Sequence, residues 1–150
     1  SGCFSLTPRF EGFRDAMNDF GIACDRGLVY ELKLETPTSP YKEAVREAVE
    51  YLVSKNPRPD AIVCSNDLEA MVCLKELQSR GLAVPKDIAV VGFDDLKDAS
   101  RCEPPLTTIH NPMNLLGLEA AKLILSIIED PTRPTQSIVL PVTLVPRESA

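Results

Sequence analysis

Two short stretches carry the polar side chains best placed to do chemistry. Asn66 and Asp67 follow the apolar run Ala61-Ile62-Val63-Cys64, and Asp94 and Asp95 follow Ile88-Ala89-Val90-Val91-Gly92. An amide both donates and accepts whereas a carboxylate only accepts, so Asn66 and Asp94 converging on one crevice suit a ligand bearing hydroxyls or ring N–H groups. The plainer readings are that Asp67 caps the following helix, which is preferred for that residue, and that Asp95 ends a strand. Arg9 lies in the first turn of a Phe-bearing helix. It reads either as a solvated arginine or as a guanidinium that faces a ligand together with helix N–H groups.

Adjacent carboxylates after a strand also raise Mg²⁺-dependent phosphoryl transfer. On an extended strand end, however, Asp94 and Asp95 would point to opposite sides. The chain has no G-x-x-x-x-G-K-S/T loop, no G-x-G-x-x-G turn and no G-x-S-x-G elbow. Its single histidine, His110, sits beside Asn-Pro and reads as a loop residue. No reaction centre is assembled, and no metal or cofactor is expected.

The elements that must position these groups alternate. A helix is predicted over 7–21, capped by Thr7, with Phe10, Phe13, Met17 and Phe20 on one stripe and Gly21 as terminator. Residues 28–34 read as a strand. A second helix runs from the Ser39-Pro40 start to about Lys55 and buries Ala44, Val45, Ala48, Val49 and Leu52. The strand at 61–64, a helix at 68–80 closed by Gly81, and the strand at 88–92 follow. Wholly apolar strands separated by amphipathic helices predict an α/β fold, a parallel sheet with helices on both faces. Residues 106–109 are extended, a helix led by Asn111 or Asn114 reaches about Glu129, and 138–145, with Pro141, reads as an edge strand.

In 150 residues there is length for one domain with a sizeable core. Lys plus Arg number 16 against 22 Asp plus Glu, a net charge of −6, which argues against contact with nucleic acid or anionic lipid through this segment. No apolar run approaches the roughly 20 residues of a membrane span. The opening Ser-Gly-Cys-Phe-Ser lacks the marks of a secretion signal. Five cysteines with no C-x-x-C pair argue against a zinc site or a disulfide framework. Cys64 and Cys73 read as small buried hydrophobes, and a reducing cytoplasm is the expected compartment.

Five segments, in order, carry a resemblance. They are Arg9-Phe10-Glu11-Gly12-Phe13, the run from Arg58 to Met71, Gly81 to Asp95, Pro104 to Pro112, and Leu140 to Ser149. Together they resemble the lactose-repressor and purine-repressor family of transcriptional regulators. The resemblance implies a periplasmic-binding-protein-like effector domain of two α/β lobes, of which this chain is mostly the second. It places Arg9, Asn66 and Asp94 at ligand-contacting positions, and Met71 and Cys102 at a homodimer contact. The helix at 110–130 is expected to pack on the first lobe, and operator DNA to be bound by a head domain before Ser1. That helix is apolar over most of its circumference, so Leu116 and Leu123 join the expected association surface.

Val72 departs from the family's usual Gly, and the stretch from Tyr30 to Tyr41 departs from its Gly-Asp-aromatic strand end. Tyr30 or Tyr41 could substitute for the missing aromatic platform. The expected function is therefore non-enzymatic sensing of a small polar effector, a sugar or nucleobase. The alternatives are a solute receptor for transport and a small Mg²⁺-dependent phosphotransferase.

Overall fold

The computed structural model describes residues 6–32, 41–134 and 136–150, with the side chains of Leu6 and Thr7 excepted. The cap expected at Ser39 lies outside that description, and Thr7, expected to cap the first helix, lies within the helix itself. Helix α1 spans Leu6–Asp19, α2 Tyr41–Val53, α3 Asp67–Ser79 and α4 Met113–Glu129. The strands are β1 Ala61–Val63, β2 Ala89–Val91, β3 Thr108–His110 and β4 Thr143–Val145. Both α1 and α3 close on a glycine at positive φ, Gly21 at 70° and Gly81 at 76°. At each, the next residue's N–H returns to the last helical turn, Ile22 to Met17 and Leu82 to Leu77.

β1 and β2 pair in parallel, with Ala61 opposite Ala89 and Val63 opposite Val91. Parallel bridges from Val91 to Thr107 and from Asp94 to His110 carry the ladder on toward β3. β4 then adds antiparallel to β3, with Thr108 opposite Val145. The chain is thus the expected α/β type, and the Pro141-bearing tail narrows to a three-residue pairing.

The core forms where α2 and α3 meet the sheet. Val45, Val49 and Leu52 come from α2, Ala70, Cys73, Leu74 and Leu77 from α3, and Ile62, Ile88, Val90, Ala99 and Leu106 complete it. Burying one such Leu or Ile side chain contributes about 1.5–3 kcal/mol. Cys73 is buried as expected, and Cys64 is half-buried against the same core. The neighbouring Cys73 thiol and then burial push the Cys64 thiol well above its usual range. Val72 also packs onto this core, which accommodates it in place of a glycine.

The strand expected from residue 28 is corrected by the structure. Arg26–Leu28 is a 3-10 turn, and no strand follows among the described residues to 32. The cause is local: the Asp25 carboxylate accepts the Gly27 N–H at 2.7 Å and closes the turn. The Tyr51 hydroxyl donates to Gly27 O, and the Tyr30 ring packs 5.2 Å from that of Tyr51, so the segment follows α2.

Candidate effector site at the strand ends

Arg9 projects from the first turns of α1 and ties two strand ends together. Its Nη1 donates to Ser65 O at 2.6 Å, just past β1, and its guanidinium lies 3.9 Å from the centre of the Phe93 ring, just past β2. Its Nη2 reaches Asp94 Oδ1 at 3.4 Å. The Asn111 amide donates to the same oxygen at 3.4 Å from beyond β3. All three segments leave the carboxyl ends of their strands, the side on which open α/β sheets hold ligands.

Both 3.4 Å contacts are long beside the 2.7–2.9 Å of a close charge-assisted bond. Arg9 and Asp94 each keep about a quarter of the side chain exposed (26% and 24%). A ligand hydroxyl can therefore exchange into this pair at small cost, accepting from the guanidinium and donating to the carboxylate. Arg9 is no free surface arginine, because a carbonyl, an aromatic face and a carboxylate all hold it.

The cap expected at Asp67 is made one residue earlier. Asn66 is the N-cap of α3, its side-chain oxygen accepting the Glu69 N–H at 2.9 Å, and its amide donates to Ser65 Oγ at 3.2 Å. It makes no hydrogen bond with Arg9 or Asp94. The Asn66-x-x-Glu69 spacing is the signal that marks the cap. Asp67 is instead fully buried, accepting from Leu96 N at 2.7 Å and from the Thr108 hydroxyl at 2.5 Å. It locks the start of α3 to the loop after β2 and to β3, and so holds the three strand ends in mutual register. Gly92 is part of that lock, since a Cβ there would overlap Asp67 Oδ1 and lie 3.0 Å from Leu106 Cδ2.

Asp94 and Asp95 do face different partners. Asp95 binds Arg147 Nη2 at 2.5 Å and His110 Nδ1 at 3.0 Å. The Arg147 hydrogen bond, with a smaller contribution from His110, holds the Asp95 carboxyl below its ordinary 3.8, against the opposing effect of burial. His110 ends β3 and is not in a loop. Each carboxylate is already matched by a cation, which removes the basis for a shared Mg²⁺ site. Among the described residues no cluster of His, Cys, Asp and Glu has metal-holding geometry.

The other expected contacts are scattered. Tyr30 is engaged with Tyr51 beside a cavity of about 370 Å³ that shares no residue with the Arg9–Asp94 site, so it supplies no platform there. Tyr41 packs on the core from the start of α2. Met71 and Cys102 are half-buried against the core. Leu116 is exposed, whereas Leu123 is half-buried in a shallow hollow beside Arg133 and Gln136. No described helix is long and apolar enough to cross a membrane.

Parallel strands whose carboxyl ends gather polar groups are the arrangement in which open α/β sheets hold ligands. The sequence model of the periplasmic binding protein-like domain matches residues 3–150. Within that class, the chain belongs to the lactose-repressor and purine-repressor family. It is 34% identical over 141 residues to the HTH-type transcriptional regulator CelR of Thermobifida fusca, covering 94% of this chain and 40% of CelR. It is 33% identical, with the same coverage, to the HTH-type transcriptional repressor PurR of Photobacterium profundum. The solved CelR–cellobiose complex superposes with a TM-score of 0.84 at 32% identity, over 95% of this chain and 42% of that one. The chain thus spans well under half the length of these relatives.

Proposed function

We propose that this chain is the effector-sensing part of a transcriptional regulator. A small polar molecule, a sugar or a nucleobase, binds between Arg9 and Asp94 with Asn66 nearby. The observation that carries this reading is the long, partly open Arg9–Asp94 pair where the strand ends meet. CelR was solved with cellobiose, which favours a hydroxyl-rich ligand. The named relatives are regulators, which favours this reading over a transport receptor and over an enzyme.

Binding shifts a two-state arrangement of lobes, and a DNA-binding head reports it as altered operator affinity. Helix α4 packs on the companion lobe, and Met71, Cys102, Leu116 and Leu123 contribute to a homodimer. The protein works in the cytoplasm without a cofactor.

Calorimetry of the full-length protein with cellobiose, sucrose, ribose and hypoxanthine tests the site. Arg9→Ala and Asp94→Ala are each expected to weaken the bound ligand by about 1.5–3 kcal/mol, as for hydrogen bonds to charged groups, with folding retained. Unchanged affinity in both variants overturns the assignment.

A further inference from the structure

Asp94 and Asp95 are consecutive non-glycine residues at positive φ, 113° and 56°. L-residues rarely occupy this region, and such a turn persists only where its surroundings over-determine it. Asp94 is held through its backbone, its N–H donating to Ile109 O at 2.9 Å. Asp95 is held through its carboxylate, by Arg147 on one oxygen and His110 on the other.

Arg147 is itself fixed at three points. Its Nη1 donates to Leu106 O at 2.8 Å, its backbone N–H to Thr107 Oγ1 at 2.9 Å, and its Nη2 to Asp95. Two residues on, the buried Ser149 hydroxyl donates to Val90 O at 2.6 Å and accepts the Thr107 N–H at 2.8 Å. A guanidinium pinned this way presents its fork in one orientation.

We propose that Arg147 and His110 are positioning residues of the effector site. By gripping the Asp95 carboxylate from the far side, they fix the left-handed turn from which Asp94 reaches Arg9 and Asn111. Neither touches the ligand. The proposal rests on the reading of Arg9 and Asp94 as the effector pair, and its test is separable from that reading.

The test needs no ligand. In the full-length protein, NMR follows the exchange of the Arg9 Nη2–H, which donates to Asp94 Oδ1, and the chemical shift of the Asp94 side-chain carboxyl carbon. Glycine adopts φ near +56° freely, so Asp95→Gly keeps the turn accessible while removing the anchor. Asp95→Gly and Arg147→Met are expected to speed Arg9 Nη2–H exchange severalfold, because the carboxylate that accepts that proton is no longer fixed in place. Asp95→Asn tolerates the left-handed region and still accepts from Arg147, so it should restore most of the protection.

Folded Asp95→Gly and Arg147→Met proteins with unmoved Arg9 and Asp94 signals overturn the proposal. If Asp95→Gly does not fold, Arg147→Lys decides. Lysine has one compact ammonium in place of the planar fork whose two nitrogens donate to Leu106 O and Asp95 separately. It should therefore hold Asp95 less firmly and loosen Arg9, and full protection in that variant overturns the positioning role. Loss of the effector reading would show separately, as unchanged ligand affinity in Arg9→Ala and Asp94→Ala.

Discussion

Helices α3 and α4 make opposite use of apolar residues. α3 carries Asp, Glu, Lys and Gln along its length, yet buries Ala70, Cys73, Leu74 and Leu77 to 2% exposure or less. α4 is the more apolar helix and has no fully buried residue. Leu115, Leu116, Leu118, Ile124, Leu125, Ile127 and Ile128 are between 41% and 68% exposed. Burial therefore follows from what the rest of the chain offers as cover, and apolar content alone does not secure it. α3 is wedged between α2 and the sheet, whereas among the described residues nothing comparable packs against α4.

The largest expected effect separates these two helices. Leu74→Ala and Leu77→Ala leave cavities in a close-packed core and should each cost about 2–5 kcal/mol in urea unfolding of the 150-residue chain. At a dilution that keeps the chain monomeric, Leu125→Ala and Ile128→Ala should stay within about 0.5 kcal/mol of the unaltered chain, as exposed substitutions do. If the α4 variants cost as much as the α3 variants, α4 is covered in solution and the contrast fails.

Gly92→Ala sharpens the packed side of the contrast. The added methyl must displace Asp67, which would strain the bonds to Leu96 N and the Thr108 hydroxyl. Overpacking costs about 1–3 kcal/mol, and a compromised buried hydrogen bond adds a comparable amount. Thermal unfolding by circular dichroism reads it, and an unchanged melting temperature would mean that the Asp67 lock is dispensable.

The same contrast decides what can be read from the sequence. Strands β1 and β2 are short apolar runs bounded by turn residues, so they are legible locally, as are the glycines that close α1 and α3. Arg9 and Asp94 are singled out by residue type and place, one in the first turns of a helix and one after a strand, but their contact spans 85 residues and cannot be read locally. Asp67 is not, because its partners lie 29 and 41 residues further along the chain. The Asp95–Arg147 pair spans 52 residues and exists only once β4 has brought the tail beside β3. Residues 28–32 mislead because a weak alternation is outweighed by the Asp25 turn and the Tyr51 contacts.

A middle-sized effect probes α4 directly. Covering a few hundred Å² of its apolar surface at about 25 cal/mol per Å² is worth several kcal/mol before association costs. The isolated 150-residue chain is therefore expected to self-associate at tens of micromolar in size-exclusion chromatography with light scattering. Leu116→Glu, at a position 47% exposed, should shift it toward monomer without unfolding it. A clean monomer for the unaltered chain would mean that α4 has folded back on its own lobe, and Leu116→Glu should then unfold the chain.

The smallest effect compares two carboxylates, one on each side of the contrast. Asp95 lies in the packed region and is held down first by Arg147, whereas the fully exposed Asp130, which ends α4, is held down by hydrogen bonds from the Thr132 hydroxyl and N–H. In both cases the folded state favours the ionised form more than the unfolded state does. The stabilisation is therefore fully present above the ordinary carboxylate value of 3.8 and is lost as pH falls through the lower folded value. Solvent screening discounts the contribution of Asp130, because its partners compete with water at an open helix end. Asp95→Asn should accordingly flatten the fall in melting temperature between about pH 5 and pH 2, the range over which such linkage is spent. Asp130→Asn should leave that slope close to the unaltered one. An equal change in both would show that the packed and open ends of the molecule hold their charges alike, and the ion pair to Arg147 would then contribute no more than a local turn.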